Sequence, residues 1–498
     1  MPRGKIAGVE AVERRLRTVP RPVWVLIAMM GVYVAVFGTL TWSQQSNFGT
    51  FGFDMGIYDQ GIWLMSQFEN PFITVRGLDW FGHHVIGVTF LFVPFYWLGA
   101  GPHFLYLTQT VWLALGAVPI WLLARDRLEN PWAALVLAAT YLLYPSLEWI
   151  TWWHFHPDAL AITPLLFAYW LATRRRWGWF AVAVGLALSC KEDAALAALM
   201  LGLLVAWKIK RRPGLITAAV SAVWFVVATR GIVPLVNGIG THYETYFPGF
   251  GESSSEIAYN IARHPSRVVE AATEGGRLDY YRQMLSPVAF LPLGSLPLLL
   301  IAGPQVVINV ISGFGYTHEI KYHYSSLVIV GVMLATVESA ARYGRTQPGR
   351  RFLVGLVAAT ALASNVAWSP SPISVKFHSG IWSRPSYRHL AMNDAVDLVP
   401  AKAGVSAIYN LVPHLTHRKL IYEWPNPFAR PPANWGVKGE NPPDPSNVDY
   451  IVVDTDLVGD AGSSNRALYD RLVEPGGEFE KVFERDTIVV AKRVRPER

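Results

Sequence analysis

The segment Gly49-Thr-Phe-Gly-Phe-Asp-Met-Gly-Ile-Tyr-Asp-Gln-Gly-Ile-Trp63 carries two carboxylates, Asp54 and Asp59, directly after the first long apolar run of the chain. A carboxylate just outside a membrane helix is a natural general base when burial raises its basicity, and it stands where a water-soluble substrate can meet a lipid-linked one. An ordinary solvated loop is the competing reading of the same two residues. Four more clusters carry similar chemistry: His83-His84, His154-Phe-His156-Pro-Asp158, Lys191-Glu192-Asp193 and His318-Glu-Ile-Lys321-Tyr-His323. Their lysines and imidazoles suit an anion, and Tyr58 adds a hydroxyl beside the first carboxylate. His154, His156 and Asp158 are also donor types for a divalent metal, although a loop of this length equally uses them as hydrogen-bond partners. Histidines and tyrosines are common at membrane interfaces too, so each cluster alone has a plain structural explanation.

The elements that must position these clusters are membrane helices. Of 498 residues, 52% are hydrophobic and only 16% charged, with 20 Trp and 21 Tyr. Runs of about 17 to 22 apolar residues, such as Pro22 to Trp42, Phe104 to Ala124, Gly214 to Val236 and Phe352 to Trp368, can each span a hydrocarbon core about 30 Å thick. The net charge of +7 is spread over span ends rather than gathered on one face, which argues against a nucleic-acid partner. Cys190 is the only cysteine, so no internal disulfide forms. Pro22 to Trp42 lacks a small-residue cleavage site and reads as a retained anchor.

Charge parity sets the expected topology. With the basic residues 1–21 cytoplasmic, residues 22–368 form the transmembrane domain of a plasma-membrane protein, and loops 43–84 and 237–286 are external. Arg125 and Arg127 stay inside only if Val85 to Leu98 does not fully cross. Pro287 to Ser312, broken by Pro and Gly, reads as a helical hairpin. The sum is about eleven crossings. All five clusters then converge on the outer side. Residues 369–498 change character: β-branched runs Val405 to Tyr409, Tyr450 to Asp454 and Thr487 to Ala491 alternate with helical stretches Arg388 to Leu398 and Asn465 to Leu472, predicting a small extracytoplasmic α/β domain. Pro425 to Pro445, with Trp424, Phe428 and Trp435, reads either as a loop pinned on the membrane face or cavity, or as merely irregular.

Asp54-x-x-x-Tyr58 after a first span, followed by a short helix through Trp63 and then Asn70-Pro-Phe-Ile-Thr74, resembles the first external loop of the GT-C superfamily of polyprenyl-phosphate-sugar glycosyltransferases. In those enzymes the aspartate opens an Asp-Glu pair; here Met55 stands at the Glu position, which leaves open whether Asp59 supplies the second carboxylate. His83-His84 resembles the basic residue before a Pro-Pro pair, without the prolines. Asp158 and Lys191 fall where the relatives have an acidic residue after the third span and a lysine before a small residue. The whole pattern, Phe-Asp-x-Gly-Ile-Tyr-Asp-Gln, His-His, His-x-His-Pro-Asp, Lys-Glu-Asp and Lys-Tyr-His-Tyr, is most similar to the prokaryotic family catalogued as domain of unknown function 2079, over roughly residues 20 to 340.

The resemblance implies a GT-C-like helical membrane fold and an inverting transfer of sugar from a polyprenyl-phosphate donor to an extracytoplasmic glycan, lipid or protein acceptor. Asp54, or Asp59, would be the base. Tyr58, His83, His84, His154, His156, Asp158, Lys191, Glu192, Lys321 and His323 would hold the donor phosphate and substrate, with no required cofactor or metal. A transporter or lipid flippase is the alternative class, but it would place ionisable residues near mid-span rather than at helix ends. A scaffold presenting the C-terminal domain is a third.

Overall fold

The structure, a computed structural model, describes residues 19–238, 246–430 and 444–494. The first helix, α1 (Arg21–Ser46), has 26 residues with proline in its first turn. At 1.5 Å per residue it reaches about 39 Å, enough to cross a bilayer core. A tight π-turn, Gly52–Gly56, then leads into α2 (Ile57–Ser66). The short strands β1 (Phe72–Ile73) and β2 (Leu78–Asp79) pair as a small antiparallel ladder in the following loop. Val85 to Leu98 contains only a 3-10 turn, Val88–Leu91, and a four-residue helix, Val93–Tyr96. Neither can cross a membrane, as the charge pattern requires.

Helices α3 (Pro102–Leu115) and α4 (Ala117–Leu128) form one apolar run. Asn130 caps α5 (Pro131–Leu142) by accepting the Trp132 and Ala133 amides at 3.0 and 3.1 Å, and α6 (Pro145–Trp152) continues it after a 45° bend. Next come α7 (Ile162–Thr173), α8 (Trp177–Leu188), α9 (Ala194–Lys208) and α10 (Arg211–Val226), the last extended through a π-turn, Val227–Ile232, to Asn237. Backbones of α9 and α10 approach closely at Gly202 and Gly214, where a Cβ would strike the facing main chain. Two amphipathic helices follow, α11 (Ser254–Arg263) and α12 (Pro265–Thr273).

The polar helix α13 (Arg277–Leu285) leads on through left-handed Ala289 and Phe290. Pro287 to Ser312, expected as a helical hairpin, instead carries one apolar run, Leu291–Ile311, because its Pro and Gly breaks are absorbed in short 3-10 turns that lead into α14 (Gly303–Ile311) rather than in a reversal. Both segments lie along α15 (Ser326–Tyr343). Tyr280 Oη is 3.2 Å from Ser325 Oγ at one end of that helix, Arg342 donates to the Gly294 carbonyl at the other, and Asn309 donates back to the Tyr324 carbonyl at 2.9 Å. Helix α15 is buried on nearly all sides and forms the centre of the bundle, while α16 (Gln347–Trp368) closes it. Among the described residues six runs are long and apolar enough to cross a membrane, and the bent α5–α6 pair is a seventh. The expected eleven is not reached on this criterion, because α7, α8 and α9 have only 12, 12 and 15 residues and Leu291–Ile311 is one run where two crossings were expected.

After α17 (Arg388–Asp397), a five-stranded sheet is built from β3 (Val405–Ala407), β4 (Ile421–Glu423), β5 (Tyr450–Asp454), β6 (Phe479–Arg485) and β7 (Ile488–Arg493), with α18 (Ser464–Val473) between β5 and β6. The order is β4-β3-β5-β7-β6, with β3, β4 and β5 parallel and the remaining pairs antiparallel. Trp424 and Phe428 pack inward, their rings 6.2 Å from Tyr469 and 5.7 Å from Phe479, so this part of the proline-rich loop belongs to its own domain's interior rather than to a membrane face. Trp435 lies outside the described residues. One apolar core runs continuously from α1 into the sheet. The loop between α1 and α3 is locked to the sheet: Thr74 Oγ1 donates to the Ile421 carbonyl at 2.7 Å and accepts its amide at 3.0 Å, and the Gly52 amide donates to the Tyr409 carbonyl at 2.8 Å.

Candidate active site

Each chemical residue sits where a helix begins or ends. Asp54 projects from the Gly52–Gly56 turn, which can press against the sheet because Gly52 has no side chain: a Cβ there would lie 2.6 Å from Glu423 Oε2 and 2.8 Å from Val412. Two imidazoles from the loop after α6 hold the carboxylate. His154 Nδ1 is 3.4 Å from Asp54 Oδ2, and His156 Nε2 is 3.5 Å from Asp54 Oδ1. His156 Nδ1 lies 2.9 Å from the His154 carbonyl, so Nδ1 carries a proton and Nε2 faces Asp54. The His156 ring stacks on His323 with centroids 3.7 Å apart. Burial acts to raise the Asp54 pKa, but the bonds and charges of His154 and His156 outweigh it and hold the carboxyl well below its usual value. The same pair moves the imidazoles apart: burial pulls His154 down, whereas Asp54 overcomes burial and pulls His156 up.

A second group of charges lies on the α8–α9 turn and the start of α7. Lys191 Nζ is 3.3 Å from Asp193 and 4.0 Å from Asp158, and His323 Nε2 is 4.0 Å from Asp158. Glu192 accepts from His84 Nδ1 at 2.6 Å and from the Val85 amide at 3.0 Å. Burial raises the pKa of both Asp158 and Glu192, and burial with the Lys191 charge depresses His84. His154 and His156 therefore address Asp54 while Asp158 faces Lys191 and His323. Among the described residues no three His, Cys, Asp or Glu side chains are arranged to hold a metal ion.

Most of these groups open onto one cavity of about 570 Å³ whose lining combines two chemistries. Asp54, Tyr58, Arg76, His83, His84, His156, Lys191, Glu192 and His323 supply charged and polar groups; Phe225, Val226, Ile257, Ala258, Ile261, Ile308 and Ile311 supply apolar surface, and Arg230 is a further cation in the lining. Of the residues singled out from sequence, Asp59, His154, Asp158 and Lys321 do not line this cavity; His154 and Asp158 stand behind it, against Asp54 and against Lys191 and His323. Asp59 is wholly buried at the junction with the C-terminal domain, and Lys321 Nζ rests 5.5 Å from the Trp149 ring. Arg76 and Arg230 were missed. Arg76 lies over the Phe53 ring at 5.3 Å, and Arg230 donates to Ser255 Oγ at 3.0 Å. The available signal for Arg230 was a lone cation inside the apolar run Gly214 to Val236.

The family model of the predicted membrane proteins DUF2079 matches residues 45–486. The chain belongs to this family. No curated protein matches this DUF2079 chain. Among solved structures it is similar to ArnT from Cupriavidus metallidurans, crystallised with undecaprenyl phosphate, at 15% identity and a TM-score of 0.55, covering 95% of this chain and 99% of that one. The apo oligosaccharyltransferase of Archaeoglobus fulgidus is matched at 12% identity and a TM-score of 0.43, over 88% of this chain and 70% of the other. The DUF2079 chain thus has a GT-C-like fold: apolar helices with a small C-terminal sheet.

Proposed function

We propose that this protein is an integral membrane glycosyltransferase that moves a sugar, with inversion, from a polyprenyl-phosphate donor to an extracytoplasmic acceptor. The observation that carries the reading is the cavity's mixed lining: cations with a carboxylate, together with an aliphatic surface, match the head and the tail of a lipid phosphate. The undecaprenyl phosphate bound by ArnT is a ligand of that chemistry. In this reading the cavity and the C-terminal domain face the outside, and the N-terminus is cytoplasmic.

The reaction is a single in-line displacement. The acceptor oxygen forms a bond to the anomeric carbon as the bond from that carbon to the phosphate oxygen breaks, and the electron pair leaves with the phosphate. Lys191 and Arg76, with His83 and His84 nearby, stabilise the charge gathering there. Asp54 takes the acceptor proton. Its low basicity suits a late transfer, because the hydroxyl becomes strongly acidic once its oxygen is bonded to carbon. Replacing Asp54→Asn keeps the shape and removes the proton acceptor. Sugar transfer in membranes supplied with polyprenyl-phosphate sugars should fall by about 10²-fold or more, with lipid binding retained. Near wild-type transfer by this variant would overturn the assignment of the base.

A further inference from the structure

The carboxyl ends of the parallel strands β3, β4 and β5 face the same way, and in open α/β sheets that edge is where ligands dock. Here it abuts the turn bearing Asp54. The Gly52 amide donates to the Tyr409 carbonyl just beyond β3, Phe51 meets Tyr409 edge-on at 5.2 Å, and the same Phe51 ring lies 4.9 Å from His154. Glu423, the last residue of β4, packs its Oε2 against Gly52, two residues before Asp54.

Two side chains at this edge have acceptor atoms that nothing satisfies. Asn410 is 9% exposed and its Oδ1 has no hydrogen-bond partner; the buried Glu423 Oε2 has none either. Buried acceptors left open are costly and call for a donor-bearing ligand. Burial, then the Asp54 charge, pushes the Glu423 carboxyl up to about 7, so near neutrality it exchanges between accepting and donating, as hydroxyl recognition needs. Half-exposed Tyr409 with Phe51, and Trp153 at 6.2 Å from Phe51, offer aromatic faces of the kind that pack on the C–H face of a sugar ring. None of this belongs to the donor cavity, whose lining excludes Asn410, Tyr409 and Glu423.

We propose that Asn410, Glu423 and Tyr409, presented by the C-terminal sheet beside the Asp54 turn, form a binding site for a hydroxyl-rich, saccharide-like acceptor. The site deepens the glycosyltransferase reading and rests on it for the word acceptor. It makes the C-terminal domain part of the substrate site rather than an appendage.

Saturation-transfer NMR on the purified full-length protein, with methyl α-D-mannopyranoside, methyl β-D-glucopyranoside and methyl β-D-galactopyranoside as probes, tests it, alongside thermal-shift titration with undecaprenyl phosphate. At least one glycoside should bind saturably, and Asn410→Ala and Glu423→Gln should each weaken it by about tenfold while undecaprenyl phosphate binding is unchanged. Should Asn410→Ala fail to fold, Tyr409→Ser at its half-exposed position reads the same site. No saturable glycoside signal up to about 100 mM, or variants that bind as well as wild type, would overturn the proposal. Preferential binding of ethanolamine, a cationic probe, would overturn it as well. Glycoside binding without undecaprenyl phosphate binding would instead sink the donor reading and leave this site standing.

Discussion

Asp54 and Asp59 are five residues apart and end in opposite environments. Asp54 leaves a π-turn toward the cavity, with a quarter of its side chain exposed and two imidazoles at 3.4 and 3.5 Å. Asp59 lies in α2 with no exposure at all: it accepts from Tyr96 Oη at 2.6 Å and from Thr416, and His417 Nε2 stands 3.2 Å away. Two of these three partners come from the C-terminal domain. Asp54 belongs to the π-turn and Asp59 to the α-helix that follows it, so one carboxylate faces the cavity and the other fastens the loop to the C-terminal domain. Carboxylates in such a loop are therefore told apart by the surface each one meets, not by residue type.

The largest effect that sharpens this contrast is catalytic. Asp54→Asn should cost about 10²-fold or more in transfer with unfolding temperature nearly unchanged, whereas Asp59→Asn should keep turnover per folded molecule within about threefold. The second substitution should destabilise instead, by about 1–3 kcal/mol, because Tyr96 and Thr416 lose a fully paired buried acceptor. Reversed outcomes would exchange the roles of the two residues. Lys191→Ala comes next: with its ammonium gone from beside Asp158 and Asp193, undecaprenyl phosphate affinity should fall by about tenfold in equilibrium binding. Arg76→Ala should lose less, about threefold, since its charge shares the same cavity with Lys191 and two histidines. Equal affinity in both variants would move the phosphate elsewhere.

The smallest effect concerns pH. Glu423 has its carboxyl raised to about 7, so its share of native stability is present at low pH and is lost as pH rises through about 7. Glutamine carries no such dependence. The unfolding temperature of Glu423→Gln relative to wild type should therefore climb between about pH 5 and pH 8, and a difference that stays flat across that window would contradict the buried, Asp54-facing placement.

Several of these features were legible in the chain before the structure. Long apolar runs and alternating basic ends located α1, α3–α4, α10 and α16, and the parity of Arg125 and Arg127 identified the non-crossing stretch around Val88. Asp54, the His154 and His156 pair, and Lys191 came from residue chemistry at span ends; the cavity gathers Asp54, His156 and Lys191, and His154 backs Asp54 from outside it. What escaped was set by tertiary contact. Three-residue β4 is too short for a strand signal, and β6, Phe479-Glu-Lys-Val-Phe-Glu-Arg485, hides its pattern under charge because most of it is solvent-facing. Asp59 matched Asp54 in type and setting; only the docking of Thr416 and His417 distinguishes it. Asn410 and Glu423 lie more than 350 residues along the chain from Asp54, and nothing local marks them. Their importance appears once the sheet edge is laid against the Gly52 turn.

The claim on which the account depends is that this cavity seats a lipid phosphate with its head at Asp54 and Lys191. A cryo-EM map of the full-length protein in nanodiscs with undecaprenyl phosphate measures this directly. The account predicts phosphate density within about 4 Å of Lys191 and Arg76 side-chain nitrogens, with the tail running along Phe225, Ile261 and Ile308. Density for the phosphate outside this cavity, or a tail leaving it by another wall while the head sits away from Asp54, would contradict it.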